Sequence, residues 1–527
     1  MPPSHDVIVI GGGHNGLVAA TYLAKAGRRV LVLERRPIVG GAAVTEEFHP
    51  GFRAPTGATL AGLLRPEVVR DLALVSFGLE RIPVDPEVVA LGGDGRILRL
   101  WRDAGRSQGE LSAFSGKDAD AYPRFRTMMV EIGSVVDPLL VRTLPEITDV
   151  ALGEQMFLLR RALRARKLGK EAMHTALRMA PMSLHDFLGE WFETDLLKAT
   201  LAFEGLTGAY RGPWSPGTAF GLVHHFLPEA NGDSWSFVKG GMGGLSDALA
   251  SAAKGAGVAV RAGAEVRKIL VQDGRAVGVE LATGERIDAR VVASSADPKR
   301  TFLGLVEPGE LDPSFVLQMR NYQCTGVVSR VTLALDGLPR ISGIGEGVSP
   351  ARLRIAPSLE YIERAYDDAK YGRASADPVL DVLVPTLLDG SLAPSGKHVL
   401  SVLVQYTPYY LRRGTWDRNR EKLGDRAVEI LEARIPGIER LILHREVLTP
   451  VDLESRFGLT GGHIYHGEMG LNQQLFMRPA PGWARYRTPL AGLYLCGSGA
   501  HPGGGITGAP GYNAAREMLR DLARRAA

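Results

Sequence analysis

Three glycine-rich turns predict the fold class: a strand, a G-x-G-x-x-G turn and a helix at the start of the chain, a glycine-rich turn into a helix near residue 240, and another at the C-terminal end. Together they predict an α/β protein whose Rossmann-type nucleotide-binding domain is built from three discontinuous segments. A substrate domain of antiparallel sheet plus helices is inserted between those segments. The expected segments are 1–105, 226–300 and 456–527 for the nucleotide-binding domain, 106–225 for the helical part of the substrate domain, and 301–455 for its sheet part. A chain of 527 residues is too long for one simple core, so two or more domains are expected.

The composition narrows the function classes. Hydrophobic residues make up 45% and charged residues 23%, as in an ordinary globular chain. Basic residues number 62 against 58 acidic ones, a net +4, which gives no nucleic-acid footprint. Cys324 and Cys496 are the only cysteines and form no C-x-x-C, so a dithiol redox site is unsupported and a reducing compartment fits. The first strand begins by Asp6, leaving no room for a secretory leader ahead of it, so a cytoplasmic location is expected. No apolar run approaches the roughly 20 residues that span a bilayer, so any membrane contact is expected to be peripheral. Nothing in the sequence fixes an oligomeric state.

The first element is "DVIVI", a short β-branched run that reads as a buried parallel strand. Gly11, Gly13 and Gly16 follow before an Ala-rich helix. The first glycine makes the turn, the second lets backbone approach a pyrophosphate, and the third packs helix on strand. Free N–H groups at the helix start face the phosphates, and Asn15 is grouped with the cofactor-binding residues. "RRVLVLE" is the second strand, ending in Glu34 at the spacing for an acid that accepts the ribose hydroxyls. Glu34 disfavours a 2′-phosphate, although Arg35 and Arg36 stand beside it. Gly40 and Gly41 then offer a second close backbone approach, which an extended FAD uses and an NAD site does not need.

Further along, "VVALGGDGRILRLW" reads as two strands about a Gly-Asp-Gly turn. Helical spacing dominates from about Ser112 to Phe203. A glycine-rich turn, helix, strand and meander follow, with turns at Asp273-Gly274 and Thr283-Gly284 and a final strand "RVVASS". Taken alone this could be a βαβ unit without ligand contact. From about Thr301 to Thr449 the strands "VVSRVTLAL", "VLDVLVPTLL" and "HVLSVLVQY" and the helix "NREKLGDRAVEILEARI" fit an antiparallel sheet carrying helices. In "LYLCGSGAHPGGGITGAPGYNAAR" a strand runs through Gly497, Ser498 and Gly499, then Gly503, Gly504 and Gly505 precede a helix expected near Thr507, with Pro510 in its first turn. A helix N-terminus there can stabilise negative charge on a reduced flavin.

On these residues the chain resembles the carotenoid/retinoid oxidoreductase superfamily of FAD-dependent, phytoene desaturase-like enzymes. It most closely resembles the family called pyridine nucleotide-disulfide oxidoreductase domain-containing protein 2. The segments that carry the likeness are "VIGGGHNGLVAATYLAKAG", "ERRPIVGGAAVTEE", "FVKGGMGGLSDALA", "LLDGSLAPSGKHVLSVLVQYTPY", "LTPVDLESRFGLTGGHIYH" and "LYLCGSGAHPGGGITGAPGYNAAR". The resemblance implies non-covalent FAD, with Gly11, Gly13 and Gly16 at the pyrophosphate, Glu34 at the adenosine ribose with Arg35 beside it, and Gly40 and Gly41 near the phosphates. It also implies Val266 at the adenine through backbone, and Gly497, Ser498, Gly505, Ile506 and Thr507 at the ribityl chain and isoalloxazine. Two departures stand out. Ala42 and Ala43 occupy the place where many relatives have an arginine, and Ser498 stands where many have an aspartate. The family's title names a disulfide chemistry for which this sequence offers no cysteine pair.

The chemistry expected is hydride transfer between an apolar small substrate, unsaturated or not, and flavin N5. Three other readings stay open: a carotenoid desaturase, isomerase or ketolase; an NAD-dependent dehydrogenase; and a flavin-bound regulatory or interaction protein without turnover. Polar candidates are His463, Tyr465, His466, His501 and the pair His224 and His225; His466 and His501 are the catalytic choices, because their segments should face the flavin. Any one of these histidines can equally cap a loop or fill a core. His463, His466 and Glu468 are metal-ligand types, but a glycine-flanked loop without further ligands is weak support and no metal is expected. "FLLRRALRARKLGK", Phe157 to Lys170, holds six basic residues and no acid. It reads first as a solvated helix, and second as a peripheral contact with the inner, anionic face of a membrane.

Overall fold

In the computed structural model the described residues are 5–145, 152–167, 169–339, 341, 343, 344 and 348–524. The strand His5–Ile10 lies at the centre of the first sheet, between Arg286–Ser294 on one side and Val30–Leu33 on the other, both parallel to it. Leu493–Leu495 extends the parallel array beyond Arg286–Ser294, and Ala259–Arg261 extends it beyond Val30–Leu33. The meander Val266–Gln272 and Arg275–Leu281 pairs antiparallel onto the first half of Arg286–Ser294. Three separated parts of the chain therefore build one sheet, the Rossmann-type arrangement that the glycine-rich turns predict.

Helix His14–Lys25 packs against the C-terminal helix Ala509–Arg524, with Tyr22 edge-on to Tyr512 at 5.0 Å between ring centroids. Close approach is enforced by glycine: a methyl on Gly511 would run into the Asn15 carbonyl, and one on Gly16 into the Gly11 carbonyl. Val7, Ile8, Val9, Leu17, Val18 and Val32 are fully buried between these layers, as expected of a parallel sheet covered on both faces.

A second sheet runs in the order Ile442–Leu448, Val328–Leu335, His398–Gln405, Val379–Leu383, Arg352–Ile355, Val88–Leu91, Ile97–Leu100. Every pairing is antiparallel except Arg352–Ile355 with Val88–Leu91. The hairpin Val88–Leu100 thus belongs to this sheet and not to the nucleotide-binding sheet with which the 1–105 boundary grouped it. Its partner strand lies far along the chain, so nothing local to the hairpin announces the pairing. The helices expected between Ser112 and Phe203 are present, the longest being Gly116–Leu140; the C-terminal helix begins at Ala509, two residues after the expected Thr507.

The two faces of the second sheet differ, because side chains alternate along a strand. Val331, Leu333, Leu353, Ile355, Leu380, Val382, Leu400 and Val402 form an apolar core with Leu423, Ala427 and Leu431 of helix Trp416–Arg434. The intervening positions bring Arg330, Arg352, Arg354, Asp381 and Ser401 to the opposite face, where all are buried or nearly so. That polar face packs on helix Asp195–Leu206 through Thr200 and Glu204 and, at Arg330, on the carbonyl of Gly57.

Candidate active site

A cavity of about 510 Å³ joins the two domains. Its wall takes residues from the glycine turn (Gly11, Gly13, His14, Asn15), from the end of the second strand (Glu34, Arg35, Arg36), and from Gly41, Ala264, Val266 and Arg300. It continues past Ser498, Gly505, Ile506, Tyr465 and His466 to Glu204, His224, His225, Trp235, Arg330, Arg352, Asp381 and Ser401 on the far side.

The first half is a cradle of backbone. Gly40 N–H donates to the Gly12 carbonyl at 2.8 Å, and a methyl on Gly41 would approach Gly13 Cα to 3.1 Å. The two glycine-rich turns therefore sit against each other, which leaves room for a phosphate but not for a side chain. Glu34 accepts from Gly12 N–H and Arg36 N–H, both at 2.8 Å, so the ribose acid also fixes the turn. Asn15 Nδ2 donates to Ser498 Oγ at 3.0 Å, which ties the first turn to the C-terminal one through the serine that departs from the family pattern. His14 Nε2, Asn15 Oδ1 and His466 Nδ1 are buried without a protein partner. Unsatisfied polar atoms facing a glycine-lined cavity, at a helix N-terminus, fit a dinucleotide.

Of the residues expected to hold the cofactor, Gly11, Gly13, Asn15, Glu34, Arg35, Gly41, Val266, Ser498, Gly505 and Ile506 line this cavity, as does His466. Others shape it from behind. Gly16 and Gly497 allow close backbone packing against Gly11 and Ser295, Gly40 bridges to Gly13, and the Thr507 side chain accepts from Ala509 N–H at the helix start. Arg35 touches the cavity, but its guanidinium donates to the carbonyls of Ser455 and Arg456. His501 is turned away: its Nε2 lies 2.9 Å from the Leu139 carbonyl.

Burial pushes the imidazoles of His14 to about 3 and of His466, His224 and His501 to about 4, so all four are neutral at ordinary pH. Arg478, fully buried, spans the loop behind His466: it donates to the carbonyls of Tyr465 and Glu468 (both 2.9 Å) and of Ser498 (2.8 Å). His463 lies behind the wall, its Nε2 3.3 Å from Glu468 Oε1. Among the described residues no group of three His, Cys, Asp or Glu side chains is placed to hold a metal ion. Cys324 and Cys496 are buried and free, and burial raises their thiols to about 11 and about 12.

The far half is charged. Arg354 lies 2.8 Å from both Glu204 Oε1 and Asp381 Oδ1, and Arg352 lies 3.1 Å from both carboxylates. Burial alone would raise the Glu204 carboxyl, but the two guanidiniums hold it well below the usual range. His225 Nδ1 is 3.2 Å from Glu204 Oε2, and its ring stacks on Trp235 at 5.7 Å. These groups, and His14 within the first motif, were not among the sequence-based site residues apart from the His224–His225 pair. Their one signal in the sequence is a charge inside an apolar run, as in "VVSRVTLAL", "VLDVL" and "LAFEGL".

Sheet order, glycine cradle and ribose acid define a dinucleotide-binding oxidoreductase, and the family match makes that dinucleotide FAD. The chain belongs to the family described as flavin containing amine oxidoreductase, whose model matches residues 16–519. It is 40% identical to pyridine nucleotide-disulfide oxidoreductase domain-containing protein 2 of Rattus norvegicus, over 99% of this chain and 94% of that protein. A limonene dehydrogenase polypeptide of Castellaniella defragrans is 31% identical, over 98% and 95%, and the lycopene-forming phytoene desaturase of Pantoea ananas is 26% identical, over 98% and 99%. A solved putrescine oxidase variant shares the fold, with a TM-score of 0.62, 16% identity and 99% of each chain covered.

Proposed function

We propose that this flavoprotein oxidises a small, largely apolar, unsaturated substrate by hydride transfer to non-covalently held FAD. The observation that carries the reading is the continuous cavity, which begins at the glycine cradle and ends at a pocket walled by the second sheet. Bound FAD supplies a two-electron acceptor at flavin N5. Glu34 would take the adenosine ribose, the Gly11–Gly13 and Gly41 backbone the pyrophosphate, Val266 the adenine, and the turn from Ser498 to Ile506 the isoalloxazine.

The chain's own residues then position the substrate and take up the proton released with the hydride. Trp235, Leu383, Leu403, Ile464 and Tyr465 supply apolar surface. Of the four imidazoles that reach the cavity, those of His225 and His466 are the candidate bases. His225 has Nδ1 within 3.2 Å of Glu204 Oε2, a carboxylate that would stabilise the imidazolium formed when the ring takes up a proton. His466 has an unpartnered Nδ1. The role proposed for His501 is structural, through Leu139.

No helix of the described residues is long and apolar enough to cross a membrane. Met156, Leu159 and Leu163 are 48%, 53% and 50% exposed at three- and four-residue spacing, beside the exposed Arg160, Arg164 and Arg166. We read this face of helix Leu152–Lys167 as a peripheral contact with an anionic bilayer, from which a lipid-soluble substrate would be collected; Leu168, in the same basic segment, lies outside the described residues. The deciding experiment is an anaerobic visible spectrum of the purified chain before and after liposomes loaded with phytoene, and separately with limonene. Flavin bands bleached by phytoene support the desaturase reading, and bands bleached by limonene alone support a shorter terpenoid. Bands that persist with both favour the protein without turnover, and release of NAD in place of FAD on denaturation overturns the flavin chemistry.

A further inference from the structure

The far wall of the cavity carries one cation more than its carboxylates neutralise. Arg352 and Arg354 share Glu204 and Asp381, two guanidiniums to two carboxylates. Arg330 is the third cation. It is 6% exposed, Nη1 donates to Ser401 Oγ and Nη2 to the Gly57 carbonyl, both at 2.8 Å, and it lines the cavity. Those acceptors are neutral and engage two of the five N–H groups of a guanidinium. Asp381, already held by Arg352 and Arg354, is the carboxylate whose field reaches it, and burial pulls its ionisation down toward about 10. A buried cation without an anion is costly, and the Ser401 and Gly57 bonds hold this one in a fixed orientation at the cavity wall.

We propose that Arg330 is the binding site for a carboxylate on the substrate, which makes that substrate an amphipathic acid with an apolar, unsaturated body. One surplus positive charge matches one monoanion, and a guanidinium pairs with a carboxylate through parallel N–H···O bonds. The Gly57 contact places this anchor where the second sheet meets the loop that packs on Ala42 of the cofactor cradle. The inference rests on the flavoenzyme reading above.

The test uses the holoenzyme, with FAD content measured by release on denaturation. Geranate and octanoate, with geranamide and octanamide as neutral counterparts, are titrated against the visible flavin band. Geranate or octanoate should give a saturable difference spectrum at a concentration at least tenfold below that of its amide. R330M should weaken acid binding at least tenfold with the amides unchanged, and R330K should recover part of the loss. Equal affinity for acid and amide, acid binding unaltered in R330M, or no perturbation by either acid overturns the proposal. Loss of FAD from both R330M and R330K overturns it too, by making the cofactor the anion that Arg330 serves. A wild-type chain that holds no flavin overturns the functional reading itself.

Discussion

Replacing Gly41 by alanine should weaken FAD binding at least tenfold while leaving the fold in place. Gly41 has φ +61, and a methyl there would lie 3.1 Å from Gly13 Cα. The substitution has two costs. A left-handed backbone disfavours an L-residue by about 1–2 kcal/mol, and Gly13 must retreat by a few tenths of an ångström in the loop whose N–H groups face the pyrophosphate. Gly27 separates the two costs: its φ is +77, and no atom lies within 4 Å of a methyl built on it. G27A should therefore lose about 1–2 kcal/mol in urea unfolding of the apoprotein, and G41A at least as much. Only G41A should lose affinity, by about 1.4 kcal/mol or more for a tenfold effect, read by quenching of flavin fluorescence as FAD is added to stripped protein. Equal FAD affinity in the two variants would refute the argument that the paired glycine turns form the phosphate cradle.

Three further outcomes are expected. E204Q leaves two guanidiniums sharing one carboxylate, so it should cost about 3–5 kcal/mol in denaturant unfolding at pH 7. The Glu204 carboxyl is depressed in the folded state, so its contribution is complete above the ordinary value of 4.5 and is lost progressively as pH falls from there through the lower folded value; the gap between wild type and E204Q should hold down to about pH 4.5 and narrow below it. His501 is lowered from 6.5 to about 4, so the unfolded state binds the extra proton and stability rises with pH between those values. At about 1.4 kcal/mol per pH unit, this group removes on the order of 3 kcal/mol across the window. H501N should cost about 1 kcal/mol at pH 7 through the lost Leu139 bond and flatten the acid limb by that amount; an unchanged limb would show that His501 does not titrate as its burial requires. L159S/L163S should abolish co-sedimentation with phosphatidylserine vesicles while leaving the flavin spectrum unchanged, and retained binding would remove the peripheral contact.

The fold was largely legible because its signals are local. A β-branched strand running into G-x-G-x-x-G, and a strand ending in Glu34, specify their elements within a few residues. The cofactor half of the site was legible for the same reason: it works through backbone, and glycine marks where backbone must come close. What sequence missed is set by pairing at long range. The Val88–Leu100 hairpin looks the same whichever sheet receives it. His501 stands next to the C-terminal glycines but turns to Leu139, whereas His14, inside the first motif, faces the cavity. The charged wall left its trace as isolated charges in apolar runs, and strand alternation shows why they are tolerated. Arg330, Arg352, Arg354 and Asp381 share the face opposite the apolar core, so the charges lie together on one side without breaking it.

If Arg330 takes a carboxylate as proposed, that wall constrains the substrate more tightly than the family does. The matching family is described by amines, and the similar proteins by limonene and phytoene, ligands of quite different polarity. A wholly apolar molecule would press against Arg330 and strip water from N–H groups that have no protein acceptor, at about 1–3 kcal/mol for each buried polar group left unpaired, and more for a charged one. An amine would add a second cation beside a surplus one. A carboxylate removes both penalties while leaving Trp235, Leu383, Leu403 and Ile464 to hold an apolar body. The proposed assignment would separate recognition from chemistry: Arg330 would fix one end of the substrate by charge, and the imidazoles of His225 and His466, elsewhere on the cavity wall, would be left to exchange a proton at the carbon chain.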